Sequence, residues 1–414
     1  MIVSFNLLYI DPGTGSILFS ILISAAATLY FLFRALMIKA KVFFSGRRNA
    51  AAPKAARPFV IYAEGAQYWN VFKPVLDACE RRGQPLAYLT SAEDDPVFKA
   101  GYQWAAPEYI GKGNSAFARL NFLSADLVLM TTPGLGVDQL KRSKAVTHYA
   151  HVLHAPGDAT LYRLFGLDYF DSVLLTGDYQ GEDIRALERQ RNLPEKQLVT
   201  VGCTYLDVYA EKIAALPQED PHPFTVLLSP SWGASGLLSR YGEKLLDPLA
   251  ATGWRIIIRP HPQSKQSEAA LLERLAGQYR KAPNLFWDYE RDNIFSLAKA
   301  DCMISDFSGI IFDYLFLRDK PVLYVAQGMD LRPYDADDLE REPWQFRILR
   351  EAAVELTEAD FPAVKEIISR LSESGTYKAA REKAKKTAWD RPGEAGERIL
   401  DFVMSHLPAP QASA

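Results

Sequence analysis

Cysteine is scarce in this sequence, with three residues among 414, namely Cys79, Cys203 and Cys302. Their number is odd, and no two of them stand at the Cys-x-x-Cys spacing. A scattered, odd set argues against a disulfide framework and against a cysteine-held zinc site. We therefore expect buried thiols in a reducing compartment.

The chain also has little net charge and no glycine-rich loop of the dinucleotide-binding kind. The formal charge of −3 gives no general attraction to nucleic acid, so we expect no nucleic-acid partner. The run Gly134-Leu135-Gly136 lacks the third glycine and the distal acid that a dinucleotide fingerprint requires.

A clear set of metal ligands is missing as well. His148, His151 and His154 follow one another at a spacing of three, which in a strand places successive members on opposite faces. The acidic run Glu93-Asp94-Asp95 precedes Pro96, and it is more typical of the charged start of a helix than of a metal site. We predict no protein-held metal and no cofactor.

The amino terminus has no charged residue between Asp11 and Arg34. Within it, residues 15–33 approach the roughly 20 apolar residues that span a bilayer. No lysine or arginine precedes this stretch, and no clean small-residue cleavage site ends it, which argues against a signal peptide. The sequence predicts an uncleaved transmembrane anchor, with a cleaved segment or an interfacial helix as alternatives.

Basic residues follow the apolar stretch: Arg34, Lys39, Lys41, Arg47, Arg48, Lys54 and Arg57. The positive-inside rule then places the body of the protein on the cytoplasmic side. We expect a single-pass protein of the inner (cytoplasmic) membrane. The basic stretch could also lie against anionic head groups.

Beyond residue 58, apolar strand patterns alternate with amphipathic helix patterns, which is typical of parallel α/β sheets. A chain of this length exceeds a single core. We predict a membrane anchor and basic flank over 1–45, a linker over 46–58, a first α/β domain over 59–216, a hinge over 217–223, a second α/β domain over 224–360 and terminal helices over 361–405. The fold class expected is two doubly wound parallel-sheet domains facing across a crevice.

The segment Ser305-Asp306-Phe307-Ser308-Gly309 carries the strongest local signal. It follows a short apolar strand pattern and opens a helix, so hydroxyls, free N–H groups and the helix dipole converge on one point. This arrangement predicts a phosphate site. Taken alone, the segment is a weak signal, because such residues at a helix start more commonly serve as an ordinary helix cap.

A histidine follows the strand pattern at Trp254. In Arg259-Pro260-His261-Pro262 it stands at the carboxyl end of that strand, where open α/β sheets bind ligands. His261 is therefore a candidate site residue, although a loop histidine held by prolines is the alternative. Arg259 could add charge to a phosphate site or form a structural ion pair.

Several ordered blocks resemble those of the CDP-glycerol glycerophosphotransferases, which build teichoic acids and related glycerol-phosphate polymers. The blocks are Leu153-His154-Ala155-Pro156, Val201-Gly202-Cys203-Thr204-Tyr205-Leu206-Asp207, Ser229-Pro230-Ser231-Trp232, Arg259-Pro260-His261-Pro262, and Ser305 to Tyr314 followed by Asp319-Lys320-Pro321-Val322. The resemblance runs from about Phe59 to Ala326. It implies a GT-B fold, a CDP-glycerol-like nucleotide donor and a lipid-linked or glycan acceptor. The domain over 59–216 would then be the acceptor-side domain, and the domain over 224–360 the donor-binding domain.

The sequence departs from the family pattern at three places. Gly157 and Asp158 follow the first histidine block where better-known polymerases carry a basic residue. Cys203 follows Gly202, and Gly309 stands where a second serine is common. Donor chemistry is therefore better supported than the identity of the donor polyol or the acceptor.

The resemblance implies that both histidines are needed for transfer. An acceptor hydroxyl would attack the β-phosphorus and CMP would leave, which requires a base and groups that hold the diphosphate. We assign His154 as the base and His261 to the diphosphate, although the two roles could be exchanged. The predicted phosphate-binding residues are Arg259, Ser231, Ser305, Asp306, Ser308, Gly309 and Asp313. Asp306 and Asp313 could instead be acids at a helix amino terminus.

Three functions are compatible with the sequence. The first is transfer of glycerol phosphate, or a related polyol phosphate, to a lipid-linked or surface glycan. The second is nucleotide-sugar-dependent glycosyl transfer on the same scaffold, because a fold does not determine the donor. The third is a non-catalytic, membrane-tethered binding protein that has kept the crevice.

Overall fold

The structure is a computed structural model that describes residues 23, 24, 28–30, 33, 37, 57–217, 222–290, 292–325 and 329–408. The chain divides into two compact units, Met1–Ala56 and Arg57–Ala414. Most of the predicted anchor and residues 46–56 of the predicted linker lie outside the described residues.

The residues described in the first unit are helical and exposed. Thr28 donates its hydroxyl to the backbone carbonyl of Ser24 at 2.7 Å, as a helical threonine commonly does. Among the described residues, no helix is both long enough and apolar enough to cross a membrane.

The second unit contains two parallel sheets. The first has the strand order β3-β2-β1-β4-β5-β6-β7 and the second has the order β10-β9-β8-β11-β12-β13. The strands are β1 Arg57–Ala63, β2 Leu86–Thr90, β3 Ala105–Tyr109, β4 Ser124–Met130, β5 Ala145–Val152, β6 Ser172–Leu175, β7 Gln197–Thr200, β8 Thr225–Leu228, β9 Arg255–Ile258, β10 Leu285–Trp287, β11 Cys302–Ser305, β12 Val322–Val325 and β13 Val354–Leu356. The predicted pair of doubly wound parallel sheets is confirmed.

Helices connect the strands and cover both faces of each sheet, as parallel sheets require. They are α1 Trp69–Arg82, α2 Val97–Ala100, α3 Asn114–Leu120, α4 Tyr179–Gln190, α5 Thr204–Ala214, α6 Leu237–Tyr241, α7 Glu243–Ala251, α8 Ser264–Ser267, α9 Ala269–Gln278, α10 Ile294–Lys299, α11 Ile310–Arg318, α12 Trp344–Ala352, α13 Val364–Ser374, α14 Lys378–Ala388 and α15 Ala395–His406. All three cysteines are free and buried, as their scatter predicts.

Each sheet reverses its strand order once, and the reversals position the site. In the first sheet the order reverses between β1 and β4, and in the second between β8 and β11. Ligands of open α/β sheets bind outside the carboxyl ends of the strands at such reversals. The loops that follow these strands are therefore the place to look for chemistry.

The loop that follows β5 touches the loop that follows β12, so the carboxyl edges of the two sheets face each other. The carboxylate of Asp335 accepts the N–H of Phe165 at 2.7 Å and the guanidinium of Arg191 at 2.7 Å. The carboxylate of Asp158 accepts the first N–H groups of α12, from Trp344 at 3.1 Å and Gln345 at 2.8 Å. Burial raises the pKa of Asp158 to about 6, against the effect of these bonds.

The terminal helices return to the first sheet. α15 packs on α1, where Glu397 pairs with Arg81 at 2.7 Å. The buried carboxylate of Asp207 in α5 accepts the indole N–H of Trp389 and the N–H of Gly393, each at 2.8 Å. Because residues 57–414 form one compact unit, the boundaries at 216 and 360 stay predictions.

Candidate active site

His154 lies at the carboxyl edge of the first sheet, two residues beyond β5. Its Nδ1 is 2.9 Å from the hydroxyl of Thr131, which follows the neighbouring strand β4. The hydroxyl of Tyr162 lies 3.2 Å from the same nitrogen. The ring of Tyr68 packs edge-on against the imidazole with centroids 5.4 Å apart. These contacts fix the ring at the β1–β4 reversal.

The other ring nitrogen of His154, Nε2, makes no hydrogen bond to any residue that the structure describes. Hydroxyl groups accept as well as donate, so Nδ1 can carry the ring proton and leave a lone pair on Nε2. Burial lowers the pKa of His154 to about 4, so the ring is neutral at pH 7. A neutral imidazole with a free lone pair can accept a proton from a hydroxyl.

A second buried histidine stands behind this one. Nε2 of His151 is 3.3 Å from the hydroxyl of Tyr162, which thus joins the two imidazoles. His151 is completely buried, and its Nδ1 has no hydrogen-bond partner in the described part of the chain. Burial and the neighbouring His154 lower its pKa well below the ordinary value.

Sequence analysis missed Thr131 and Tyr162. The signal for Thr131 was its place directly after a predicted strand next to the one that carries His154. Tyr162 follows His154 by eight residues, and sequence spacing alone cannot show that its loop folds back toward both histidines.

His261 lies at the carboxyl edge of the second sheet, beyond β9. Its Nδ1 accepts the backbone N–H of Gln263 at 3.1 Å, so the proton of the neutral ring sits on Nε2. The exposed indole of Trp232 stacks near it, with centroids 6.3 Å apart. Burial lowers the pKa of His261, and the nearby charge of Glu268 opposes this. His261 therefore presents an N–H donor.

Asp306 joins the loops that follow β8 and β11. Its buried carboxylate accepts the N–H of Ser231 at 2.9 Å and the Ser231 hydroxyl at 2.8 Å. It also accepts the N–H of Leu237 at 3.2 Å and of Ser308 at 3.1 Å. Burial raises the pKa of Asp306, although these bonds oppose the shift. Asp306 and Ser231 thus hold the two loops together at the β8–β11 reversal.

Ser305 is completely buried, and its hydroxyl donates to the carbonyl of Ser229 at 2.6 Å. Ser305 is therefore not available to bind a phosphate, so fewer residues of the motif can do so than the sequence predicted. The hydroxyl of Ser308 has no partner among the described residues. The N–H groups of Gly309 and Ile310 open α11 and have no intrahelical acceptor. These three donors are the groups at this helix start that are available to an anion, and this helix start is called the anion site below.

Asp313, one turn into α11, is buried and faces α5 instead of the helix start. Its carboxylate accepts the hydroxyl of Tyr205 at 3.2 Å, and burial raises its pKa to about 7. Arg259 is also largely buried. Its guanidinium donates to the carboxylate of Asp288 at 2.5 Å and to the carbonyl of Glu290 at 2.7 Å. This is the geometry of the structural ion pair.

Next to this site, a pocket of 610 Å³ opens beside Asp306, between the carboxyl end of β12 and α12. Phe307, Tyr324 and Phe346 give it aromatic walls, and Arg341 and Arg350 line it together with acidic residues. Its volume is within the usual range for small-molecule sites. The pocket and the anion site together can hold a ligand that has a flat ring and phosphates.

The comparisons with known proteins agree with this architecture. The profile of the family described as CDP-glycerol:poly(glycerophosphate) glycerophosphotransferase matches residues 183–405. No curated protein sequence matches the chain.

Among solved structures, the wall teichoic acid polymerase TagF superposes with a TM-score of 0.56 at 16% identity, covering 84% of this chain and 88% of that one. A putative UDP-N-acetylglucosamine 2-epimerase from Listeria monocytogenes gives 0.58 at 13% identity, covering 85% and 97%. The UDP-GlcNAc 2-epimerase of Methanocaldococcus jannaschii gives 0.55 at 14%, covering 84% and 99%. At these identities the superpositions show a shared GT-B-like fold.

Proposed function

Because this chain belongs to the CDP-glycerol:poly(glycerophosphate) glycerophosphotransferase family, we propose that it transfers glycerol phosphate, or a related polyol phosphate, from a CDP-linked donor. The acceptor is a hydroxyl of a lipid-linked or cell-surface glycan, and CMP is released. A TagF structure soaked with CDPG supports the choice of donor.

The observation that carries the proposal is that the hydrogen bonds of the two histidines leave Nε2 as an acceptor in one ring and as a donor in the other. His154 can expose a lone pair at Nε2, whereas the backbone N–H bound to Nδ1 of His261 leaves a proton on its Nε2. The two rings lie on carboxyl edges that face each other. One suits a base for the acceptor, and the other suits a donor to the diphosphate.

The reaction then proceeds in one displacement. The acceptor oxygen attacks the β-phosphorus, its proton passes to Nε2 of His154, and the bond from that phosphorus to the CMP oxygen breaks. Charge on the diphosphate and the leaving CMP is held by Nε2–H of His261, the Ser308 hydroxyl and the N–H groups that open α11. Tyr162 and Thr131 orient His154 during the proton transfer.

Incubation of the purified protein with CDP-glycerol, CDP-ribitol and UDP-sugars tests this function. The proposal expects CMP from a CDP-polyol, in the presence of an acceptor extract. Release of UDP from a UDP-sugar would instead support glycosyl transfer. Release of no nucleotide from any donor, by folded protein that binds CDP-glycerol, would support the binding-protein alternative.

The anion site gives the first mutational prediction. Replacing Ser308 with alanine should weaken CDP-glycerol binding by roughly 1–2 kcal/mol, the range for losing a hydrogen bond to a charged group. Gly309→Pro should weaken it further, because it removes an amide donor. Titration calorimetry measures both effects.

Gly309→Ala is the matched control for this prediction. The backbone of Gly309 has φ −58°, and an added Cβ meets no atom within 4 Å, so alanine keeps the amide without strain. It should bind the donor as the parent does. Unchanged affinity for CDP-glycerol in folded Ser308→Ala and Gly309→Pro proteins would mean that this segment only caps the helix and does not bind the donor.

The pH dependence of turnover follows from the neutral His154. Protonation of its Nε2 removes the base, and burial places that pKa at about 4, so kcat/KM should fall only well below pH 6.5. The negative diphosphate favours the protonated ring, so the acidic limb of kcat should lie at higher pH than that of kcat/KM.

The measurement is a pair of pH–rate profiles with folding followed by circular dichroism. Asp313→Asn is the control, because Asp313, unlike His154, has a pKa near neutrality, at about 7. This variant should keep the acidic limb of kcat/KM in place. A limb at pH 6.5 or above in the free enzyme would contradict a buried, neutral base.

We also propose that residues 15–33 anchor the protein in the cytoplasmic membrane, with the catalytic body on the cytoplasmic side. The uncharged stretch and the basic residues that follow it support this proposal. The full chain should stay with membranes after a carbonate wash. A high-salt wash controls for adsorption through the basic flank, and full recovery in the soluble fraction would contradict the anchor.

A further inference from the structure

A second cavity of 610 Å³ lies at the opposite edge of the second sheet from the candidate active site. Thr225 and Arg255, the first residues of β8 and β9, line it. Ile213 and Leu216, at and just beyond the end of α5, line it from another side. Because parallel strands begin at this edge and end at the crevice, the cavity is separate from the anion site of α11.

Basic side chains line this cavity. They belong to Arg255, Lys299 and Arg318, with His222 beside them, and none of the described lining residues is acidic. Lys299 already has an interaction partner, which leaves the two arginines as the cations for a ligand. The nearest carboxylate in the contacts of His222 is Asp301, at 3.6 Å, and Asp301 already pairs with Lys320 at 2.7 Å. Two arginines beside one cavity attract anions locally, although the chain has a formal charge of −3.

Two of the cations have unsatisfied donors. The Nε atoms of Arg255 and Arg318 are buried and bind no acceptor among the residues that the structure describes. A buried donor without an acceptor costs about 1–3 kcal/mol, so such atoms usually mark a missing ligand or water. The guanidinium of Arg255 stacks over the ring of Phe286 at 4.8 Å, which holds it in place.

Helix dipoles do not account for this arrangement. Lys299 and Arg318 end α10 and α11, where a cation stabilises the helix terminus. Arg255, however, begins a strand, and a dipole does not supply a hydrogen-bond acceptor to a buried Nε.

The remaining walls are apolar. Ile213 and Leu216 line one side. Phe295 also lines the cavity, and its side chain is 57% exposed. We propose that this cavity is a second anion site, which binds a phosphate group carried on an apolar or flat body. The phosphate lies between Arg255 and Arg318, and the body lies against Phe295. This inference goes beyond the proposed transfer reaction and does not rest on it.

Two sources supply such a group, namely the head group of an anionic phospholipid and a soluble aryl or nucleotide-type phosphate. Calorimetry on the full chain with dihexanoyl-phosphatidylglycerol, dihexanoyl-phosphatidylcholine and phenyl phosphate distinguishes them. Binding of the anionic lipid but not the zwitterionic one, with phenyl phosphate weaker, indicates a lipid. Stronger binding of phenyl phosphate indicates a soluble ligand, and either result supports the proposal if the variants below respond.

The double variant R255Q/R318Q should bind the probe with an affinity lowered at least ~10-fold, the scale of losing charge-assisted hydrogen bonds. Arg370→Gln, an exposed arginine of α13 outside the cavity, is the matched control and should bind as the parent does. Phe295→Ala provides a test that does not alter the buried arginines, and it should weaken probes with an apolar body. It should leave CMP release within about twofold, because Phe295 lines this cavity and contributes no group to the proposed reaction.

Absence of binding by all three probes would overturn the proposal. So would binding that falls with Ser308→Ala but not with R255Q/R318Q or Phe295→Ala, because the probe would then occupy the helix start of α11. If circular dichroism shows that the double variant is unfolded, Phe295→Ala and the single variant Arg318→Gln decide the outcome.

Discussion

Replacing His154 with alanine is expected to lower turnover at least ~100-fold, the usual scale for removing a general base. His154 offers Nε2 to the acceptor hydroxyl while Thr131 and Tyr162 hold its Nδ1. No other imidazole in the described chain has this arrangement at the first sheet's carboxyl edge. Steady-state CMP release from CDP-glycerol measures the loss.

His148, on the strand β5 that leads to His154, supplies the matched control. It pairs with the Ser172 hydroxyl at 2.7 Å and packs near His406, with centroids 4.6 Å apart, so it takes no part in the crevice. His148→Gln should keep turnover within a few-fold of the parent. Equal losses in His148→Gln and His154→Ala would point to a general effect on folding, which thermal unfolding would reveal.

Replacing His261 with alanine is expected to cause a loss of similar size, at least ~100-fold, because an N–H donor to developing phosphate charge is removed. The effect should fall mainly on kcat, since charge on the leaving CMP grows in the transition state. Near-normal turnover of His261→Ala would remove the central role given to this residue.

Glutamine variants separate the two roles. His261→Gln keeps an N–H donor and should recover part of the turnover that alanine loses. His154→Gln offers no group that accepts a proton near neutral pH, so it should be as impaired as His154→Ala. Recovery at position 154 and none at position 261 would reverse the assignment of base and donor.

Much of the fold could be predicted because most strands are short apolar runs and most of the longer helices have a polar face. The strand β13 was missed, since Val354-Glu355-Leu356 is three residues long and carries a charge in its centre. Its pairing with β12 depends on tertiary contacts that no local pattern encodes.

The site was predicted less completely than the fold. The two histidine blocks and the Ser308-Gly309 helix start occupy carboxyl edges, as the strand patterns indicated. The sequence could not show that Asp306 would be surrounded by donors from Ser231 and Leu237, far away along the chain. It also gave no preference between the two roles of Arg259, which depend on the position of Asp288.

The most direct test of the central claim is the stoichiometry of transfer. Purified protein is incubated with CDP-glycerol and a defined lipid-linked glycan, and CMP and acceptor mass are followed together. The account predicts that the acceptor gains one glycerol-phosphate unit for each CMP released, and that His261→Ala suppresses both. CMP release with free glycerol phosphate and an unchanged acceptor, or no CMP release by folded protein, would contradict it.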